Sequence, residues 1–190
     1  MGLRGAIYQT TAEIRGKMPE FARYLVCLWL TSNDNQYNGI CSQTMPHITI
    51  ATAQMQTLDA STATDAKEWA AAVEEKLHQL SIRLEPNLTL NPDRYLQQVI
   101  AKVHEEDHPA LTGFLKQIDE IPVAESLHKM PQKQAKTIHL SFLYADAAAG
   151  VEDIRKAYDA TGKVFLATNV QVCVIDTTLG FNAYEKWLLL

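Results

Sequence analysis

The sequence has little of what marks the specialised classes of protein. Its three cysteines, Cys27, Cys41 and Cys173, form no close-spaced metal-binding motif. An odd number of them, with no secretory signal, predicts free thiols in a reducing, cytoplasmic compartment. The longest apolar run, Tyr24–Leu30, is far too short to span a bilayer, so no helical membrane segment is expected. Positive charge is not in excess. The net charge of −5 argues against broad attachment to duplex nucleic acid or anionic membrane and leaves a nucleotide or a short oligonucleotide as the better-suited partner. No repeat of fixed short period and no low-complexity segment occurs. The 190 residues are 47% hydrophobic and 21% charged, ordinary for a monomer that folds as one sizeable domain or as two small lobes sharing a core.

Two short stretches carry chemistry. One reads MPHITIA and contains His47 and Thr49; the other, Lys136–Asp146, reads KTIHLSFLYAD and contains His139 and Ser141. Side chains alternate between the faces of a strand, so His47 and Thr49 share one face while Ile48 and Ile50 take the other. In the second copy Ile138, Leu140 and Phe142 are expected in the core, with His139 and Ser141 on the opposite face. One such tripeptide occurs often by chance. Two copies on apolar runs suggest a site assembled from two similar half-domains.

Displacement at phosphorus suits this arrangement. The attacking water must lose a proton and the leaving oxygen must gain one, on opposite sides of the phosphate. Imidazole titrates near neutrality, so one ring can start neutral as base and its twin protonated as acid. The hydroxyls of Thr49 and Ser141 can donate to the non-bridging oxygens. No metal or other cofactor is called for.

PHITIA and IHLSFLYAD resemble the paired histidine–x–threonine/serine motifs of the two-histidine (2H) phosphoesterase superfamily, and within it the cyclic phosphodiesterases of plants and fungi. The resemblance implies an α+β fold of two lobes, with an antiparallel sheet in each, helices packed outside and the active site in the cleft between the sheets. Residues 1–190 would form one domain of two pseudo-symmetric lobes, with His47–Thr49 in one and His139–Ser141 in the other; residues 1–22 lie outside the likeness as an N-terminal extension. The implied activity is metal-independent hydrolysis of a ribose cyclic phosphate, either a nucleoside 2′,3′-cyclic phosphate or ADP-ribose 1″,2″-cyclic phosphate. His139 would be the base and His47 the acid. Trp29 and Tyr144 would form a base-binding platform, and Tyr95 and Gln97 would reach toward the site. Ordinary core or sheet-surface roles remain alternatives for Trp29, Tyr95 and Gln97. The alternative functions are a 2H phosphodiesterase acting on RNA ends or on 2′,5′-linked or cyclic oligonucleotides, and a binding module without turnover.

The rest of the chain predicts the frame around the motifs. Arg23–Thr31 reads as a central strand with Leu25, Cys27 and Trp29 on one face, and Ser32–Gln43 as a polar loop. Ala60–Leu80 reads as a helix opened by Thr62 and Asp65 as a capping box, with a stripe of Trp69, Val73, Leu77 and Leu80. Ser81–Leu90 and Arg94–Val103 predict a hairpin turning at Asn91-Pro92-Asp93. His104–His108, HEEDH, matches a zinc-protease pattern that requires one helix through both histidines. Pro109 opposes that, and the expectation is a helix from Pro109 to Asp119 capped by Asp107 or His108, with Leu111, Phe114, Leu115 and Ile118 inward. Ile121–Ala135 predicts a long loop of the kind that often forms a lid; its Lys129 and Lys133, with Lys136, either add positive potential for a phosphate or are ordinary solvated surface lysines. Val151–Thr161 predicts a helix with Val151, Ile154 and Tyr158 inward and Gly162 at its end. Val164–Asp176 and Tyr184–Leu190 read as strands.

Overall fold

The computed structural model describes residues 22–33, 36–37, 45–90, 97–145, 151–179 and 186–190, apart from the side chains at 90, 97, 98 and 143–145. The N-terminal extension, most of the Ser32–Gln43 loop, Cys41, the Asn91-Pro92-Asp93 turn, Tyr95 and Tyr184 lie outside the described residues.

The described chain is a mixed α+β structure. Its strands are β1 (Tyr24–Thr31), β2 (His47–Met55), β3 (Leu80–Arg83), β4 (Thr89–Leu90), β5 (Gln97–Lys102), β6 (His128–Lys129), β7 (His139–Ala145), β8 (Val164–Ala167), β9 (Asn169–Asp176) and β10 (Leu188–Leu189). Its α-helices are α1 (Ala60–Glu74), α2 (His108–Asp119) and α3 (Val151–Asp159). The main sheet runs β10-β9-β1-β2-β7-β5-β4, with β6 paired to β2, while β3 and β8 form a separate pair. Each described pairing is antiparallel. Instead of one sheet per lobe, the motif strands join two half-sheets edge to edge, through the two residue pairs His47↔Ser141 and Ile48↔Leu140.

Strand alternation sorts the residues between two faces. Val26, Leu28 and Leu30 of β1, Ile48 and Ile50 of β2, Leu140 and Phe142 of β7, and Val172 and Val174 of β9 enter the main core. The helices meet that core through Trp69 and Val73 of α1, through Leu111, Phe114, Leu115 and Ile118 of α2, and through Val151, Ile154 and Tyr158 of α3. The α2 and α3 faces are those the helical period predicted. Tyr37, Phe142, Tyr158 and Phe165 pack ring to ring in this core. On the other face of β1 and β9, Cys27, Trp29, Cys173 and Ile175 form a smaller cluster with Leu25 and Trp187. Cys27 and Cys173 are unbridged and sit directly opposite one another. Burial raises both thiols, Cys27 to about 12, so neither is a thiolate at neutral pH.

Several boundaries differ from the sequence expectation, for local reasons. The capping box of α1 is Asp59 with Thr62: the Asp59 carboxylate accepts from the Thr62 N–H and the Thr62 hydroxyl accepts from the Asp59 N–H. Asp65 instead accepts the Ser126 hydroxyl at 2.6 Å. The helix stops at Glu74, and Gln79 at φ 42° turns the chain into β3, so Leu77 and Leu80 pack on the core from beyond the helix. The expected strand Ser81–Leu90 is divided. Its first part pairs with β8, and Thr89–Leu90 pairs with β5. Pro86, which has no N–H to give a ladder, stands between the two. Val164–Asp176 is divided in the same way at Thr168, whose N–H goes to the Thr31 carbonyl.

At HEEDH, Glu105–Asp107 is a 3-10 turn and α2 begins at His108, so the two histidines do not share one α-helix. Asp107 holds the cap position without capping, because its carboxylate accepts from the backbone N–H and guanidinium of Arg83. Lys163, at φ 57°, takes the left-handed turn after α3 that was expected of Gly162. The Ile121–Ala135 segment is pinned, not lid-like. β6 pairs with β2, the Met130 N–H reaches the Thr52 carbonyl, the Lys129 ammonium binds the carbonyls of Asp119 and Ile121, and the Gln132 amide binds the Ile50 carbonyl.

Phe142 is fully buried at the centre of the aromatic cluster. Phe142→Ala is therefore expected to cost about 3–5 kcal/mol in urea unfolding. Breaking the exposed Arg155–Glu152 pair by Arg155→Ala is expected to cost less than about 1 kcal/mol.

Candidate active site

The pairing of β2 with β7 brings the two motifs together. His47 lies opposite Ser141, so both belong to one face of the sheet, while Ile48 and Leu140 beside them are fully buried on the other. Continued one step along the strands, the register sets Thr49 across from His139. A local two-fold axis through the Ile48/Leu140 pair then exchanges His47 with His139 and Thr49 with Ser141. Each histidine faces the hydroxyl residue of the other motif.

The same symmetry holds in the hydrogen bonds of the rings. His47 Nδ1 lies 2.6 Å from the Met45 carbonyl oxygen, and His139 Nδ1 lies 3.0 Å from the Thr137 carbonyl oxygen. A carbonyl only accepts, so Nδ1 carries the proton in both rings. Nε2 is then the basic nitrogen of the neutral form in both. Each ring is thus held by the chain two residues before it.

Two bulges shape the surroundings. In the β1–β2 ladder Leu28 opposes Ala51 and Trp29 opposes Thr49, leaving Ile50 as the extra residue. Core burial on β2 accordingly changes phase, from Ile48 and Ile50 to Ala51, Ala53 and Met55. In the β5–β7 ladder Val99 opposes Leu143 and Ile100 opposes Ser141, leaving Phe142 extra. Counted through this bulge, position 144, opposite Gln98, falls on the face of His139 and Ser141. Gln97 pairs with Ala145 at the end of this ladder. Ile100 and Lys102, opposite Ser141 and His139, also occupy the site face. The sequence carries no sign of these neighbours, because a bulge leaves the apolar pattern almost unchanged.

Trp29 takes a different place from a base-binding platform. Its ring stacks on His47 with centroids 3.6 Å apart and an interplanar angle of 14°, and Trp187 packs against it at 6.0 Å. Only 3% of Trp29 is exposed, which leaves no open face for a nucleobase. The indole instead fixes the plane of the imidazole, and its electron-rich face favours the protonated ring.

The two histidines differ in their environment. His47 is fully buried and His139 partly so. Burial lowers His47 to about 4, against the bond to Met45, which raises it; the nearby His139 adds to the lowering. His139 is also lowered, first by burial and then by the charge of Lys133, while its bond to Thr137 opposes the shift. Both rings are favoured in the neutral form in the unliganded protein. Because no solvent reaches His47, a ligand must displace its cover to touch it. Among the described residues no three His, Cys, Asp or Glu side chains lie close enough to hold a metal ion together, and no helix is long and apolar enough to cross a membrane.

The sequence matches no protein-family model and no curated protein. Among solved structures it is similar to Usb1 of Kluyveromyces marxianus, at 11% identity over 90% of this chain and 99% of that one, with a TM-score of 0.41. The same protein with uridine monophosphate gives 10% identity over 89% and 98% of the two chains, with a TM-score of 0.39. Likeness at this identity and TM-score carries no argument about function.

Burial of a neutral His47 links stability to pH. Its folded pKa of about 4 lies below the ordinary 6.5, so the unfolded chain binds the extra proton. The stabilisation is complete above pH 6.5 and is lost as pH falls toward 4, by about 3 kcal/mol in all. His47→Gln is expected to flatten this part of the stability–pH curve measured by urea unfolding, leaving the smaller slope due to His139.

Proposed function

We propose that the protein is a metal-independent cyclic phosphodiesterase that opens a ribose cyclic phosphate to a phosphomonoester by acid–base catalysis between His47 and His139. One observation carries the reading: two His-x-Thr/Ser motifs meet on adjacent strands in a register that sets His47 against Ser141, with both Nδ1–H groups tied to carbonyls. The resemblance to the 2H phosphoesterases supports it. In the proposed reaction the oxygen of water bonds to phosphorus as a ribose oxygen leaves. One Nε2 removes the proton of the water, and the opposite Nε2–H gives its proton to the leaving oxygen. The hydroxyls of Thr49 and Ser141 donate to the non-bridging oxygens. The proton has then moved from one histidine to the other, and exchange with solvent resets the pair.

The resemblance makes His139 the base and His47 the acid, which requires His47 to hold a proton when substrate is bound. An anionic phosphate oxygen about 4 Å from the ring is worth on the order of 4 kcal/mol at an effective dielectric of 20, or about three pKa units. Such a shift would lift His47 from about 4 to near neutrality. The acid is thus charged by its own substrate. Tyr144, which follows the second motif on its strand, is the proposed base-stacking residue. Residues 1–190 are proposed to act as one catalytic unit.

The direct test is incubation in EDTA with nucleoside 2′,3′-cyclic phosphates, ADP-ribose 1″,2″-cyclic phosphate, 2′,5′-oligoadenylate and RNA bearing a terminal cyclic phosphate. Turnover of at least one cyclic phosphate, abolished by either histidine-to-alanine change, is expected. Loss of activity on chelation that zinc or manganese restores would overturn the reading. A nitrophenyl phosphodiester, whose leaving group needs no proton, separates the roles. His47→Ala is expected to keep much of its rate on it while His139→Ala stays slow, and the reverse pattern would exchange acid and base.

A further inference from the structure

A row of rings crosses the sheet on the face that carries the motifs. Trp187 adjoins β10, Trp29 belongs to β1 and His47 to β2, and the strand order β10-β9-β1-β2 puts Trp29 between the other two. The centroids of Trp187 and Trp29 are 6.0 Å apart with the rings tilted by 58°, and those of Trp29 and His47 are 3.6 Å apart at 14°. To make this contact Trp187 must reach across β9. The opposed residues Cys173 and Cys27 belong to the same cluster as Trp29, and Trp187 packs against it. Both are small, which leaves room for a large ring to lie across the strands.

The two histidines are held differently. Each has Nδ1 tied to a carbonyl two residues before it, a bond that fixes one ring atom and leaves the ring free to tilt about it. At His47 the flat stack on Trp29 removes that freedom and so sets the direction of Nε2. Among the described residues no aromatic ring stacks on His139. The extra restraint thus belongs to the histidine read as the acid, whose N–H must be aimed at the leaving oxygen. A misplacement of about 1 Å at a reacting group can cost about a hundredfold in rate.

The segment that delivers Trp187 is short and edge-on. β10 pairs only Leu188 with Val174 and Leu189 with Cys173. Beyond it, the Leu190 N–H donates to the Val172 carbonyl at 3.1 Å and the Gln171 amide donates to the Leu190 carbonyl at 2.8 Å. Leu188 and Leu189 stay exposed, so what this segment adds to the packed interior is Trp187 and Leu190. Its backbone bonds serve to hold an indole in place.

We propose that Trp187 is a positioning residue for the reaction at His47: packed on Trp29 from across β9, it keeps that indole flat against the imidazole and so aims the acid. The inference rests on the reading of His47 as the acid of a cyclic phosphodiesterase. It makes the segment around β10 part of the site without any contact to substrate.

The test uses the full chain, two substrates and one signal that does not depend on turnover. Trp187→Ala is expected to lower kcat on a nucleoside 2′,3′-cyclic phosphate by on the order of tenfold, part of the 10²–10⁴ that a positioned general acid supplies, with KM little changed. On a nitrophenyl phosphodiester, whose leaving group needs no proton, its rate is expected to stay within about twofold of the parent. Trp187→Phe, which keeps a ring, is expected to restore most of the loss. In proton NMR the Cε1–H signal of His47, identified by its absence in His47→Gln, is expected upfield in the parent because the stacked indole shields it. Trp187→Ala is expected to move that signal downfield and to leave the His139 signal in place. If Trp187→Ala does not fold, Trp187→Leu, which keeps apolar bulk without a ring, is read in the same way. Equal effects on the two substrates, or a His47 signal that stays where it was, would overturn the proposal. If the parent opens no cyclic phosphate, the catalytic reading falls, and the NMR signal alone decides whether Trp187 holds the His47 ring.

Discussion

The register between β2 and β7 is the constraint on which the site depends. Two residue pairs set it, and side-chain burial enforces it. Ile48 and Leu140 are fully buried at the seam, and slipping either strand by one residue would exchange them with histidine and hydroxyl side chains. Displacing two aliphatic side chains from the core costs several kcal/mol, far more than any gain available from a new strand pairing. The hydrophobic effect on one face therefore holds polar geometry on the other. The residues that do this make no contact with the proposed chemistry.

Electrostatics and burial oppose one another at His47. A buried imidazole is most stable neutral, and the protein holds it there between Trp29 and the Met45 carbonyl. The same low-dielectric setting strengthens every charge that enters it. An anion entering there would therefore act strongly on the His47 ring. His139, partly exposed and nearer to Lys133, samples water and is the less extreme of the two. Two motifs almost identical in sequence thus acquire different properties from the layers around them.

The parts of the structure legible in the sequence are those governed by a single period. The face shared by His47 and Thr49, the inward residues of α2 and α3, and the cluster of Leu25, Cys27 and Trp29 all followed from counting by two or by 3.6. Features set by distant partners were not legible. Asp107 looked like a cap until Arg83 took its carboxylate, Ser81–Leu90 looked like one strand until its ends chose different sheets, and the choice between platform and core for Trp29 was decided by its stacking on His47. The bulges at Ile50 and Phe142 fall in the same class. Each inserts one apolar residue into an apolar run, a change that no periodicity count detects, and yet the second decides which side of the sheet position 144 occupies.

The strand order also bears on how the molecule comes together. β1, which supports the first motif, is flanked by β2 on one side and by β9, from near the end of the chain, on the other. The half-sheet around His47 is therefore not a contiguous piece of sequence, and the strand carrying His139 is synthesised before that half-sheet is complete. Pairing strands so distant in sequence requires a long loop to close first, which slows folding. A fragment ending after β7 would contain all four motif residues and still lack the strand that closes the face of Cys27 and Trp29. The two halves resemble each other as motifs, but the strands that build them are interleaved along the sequence.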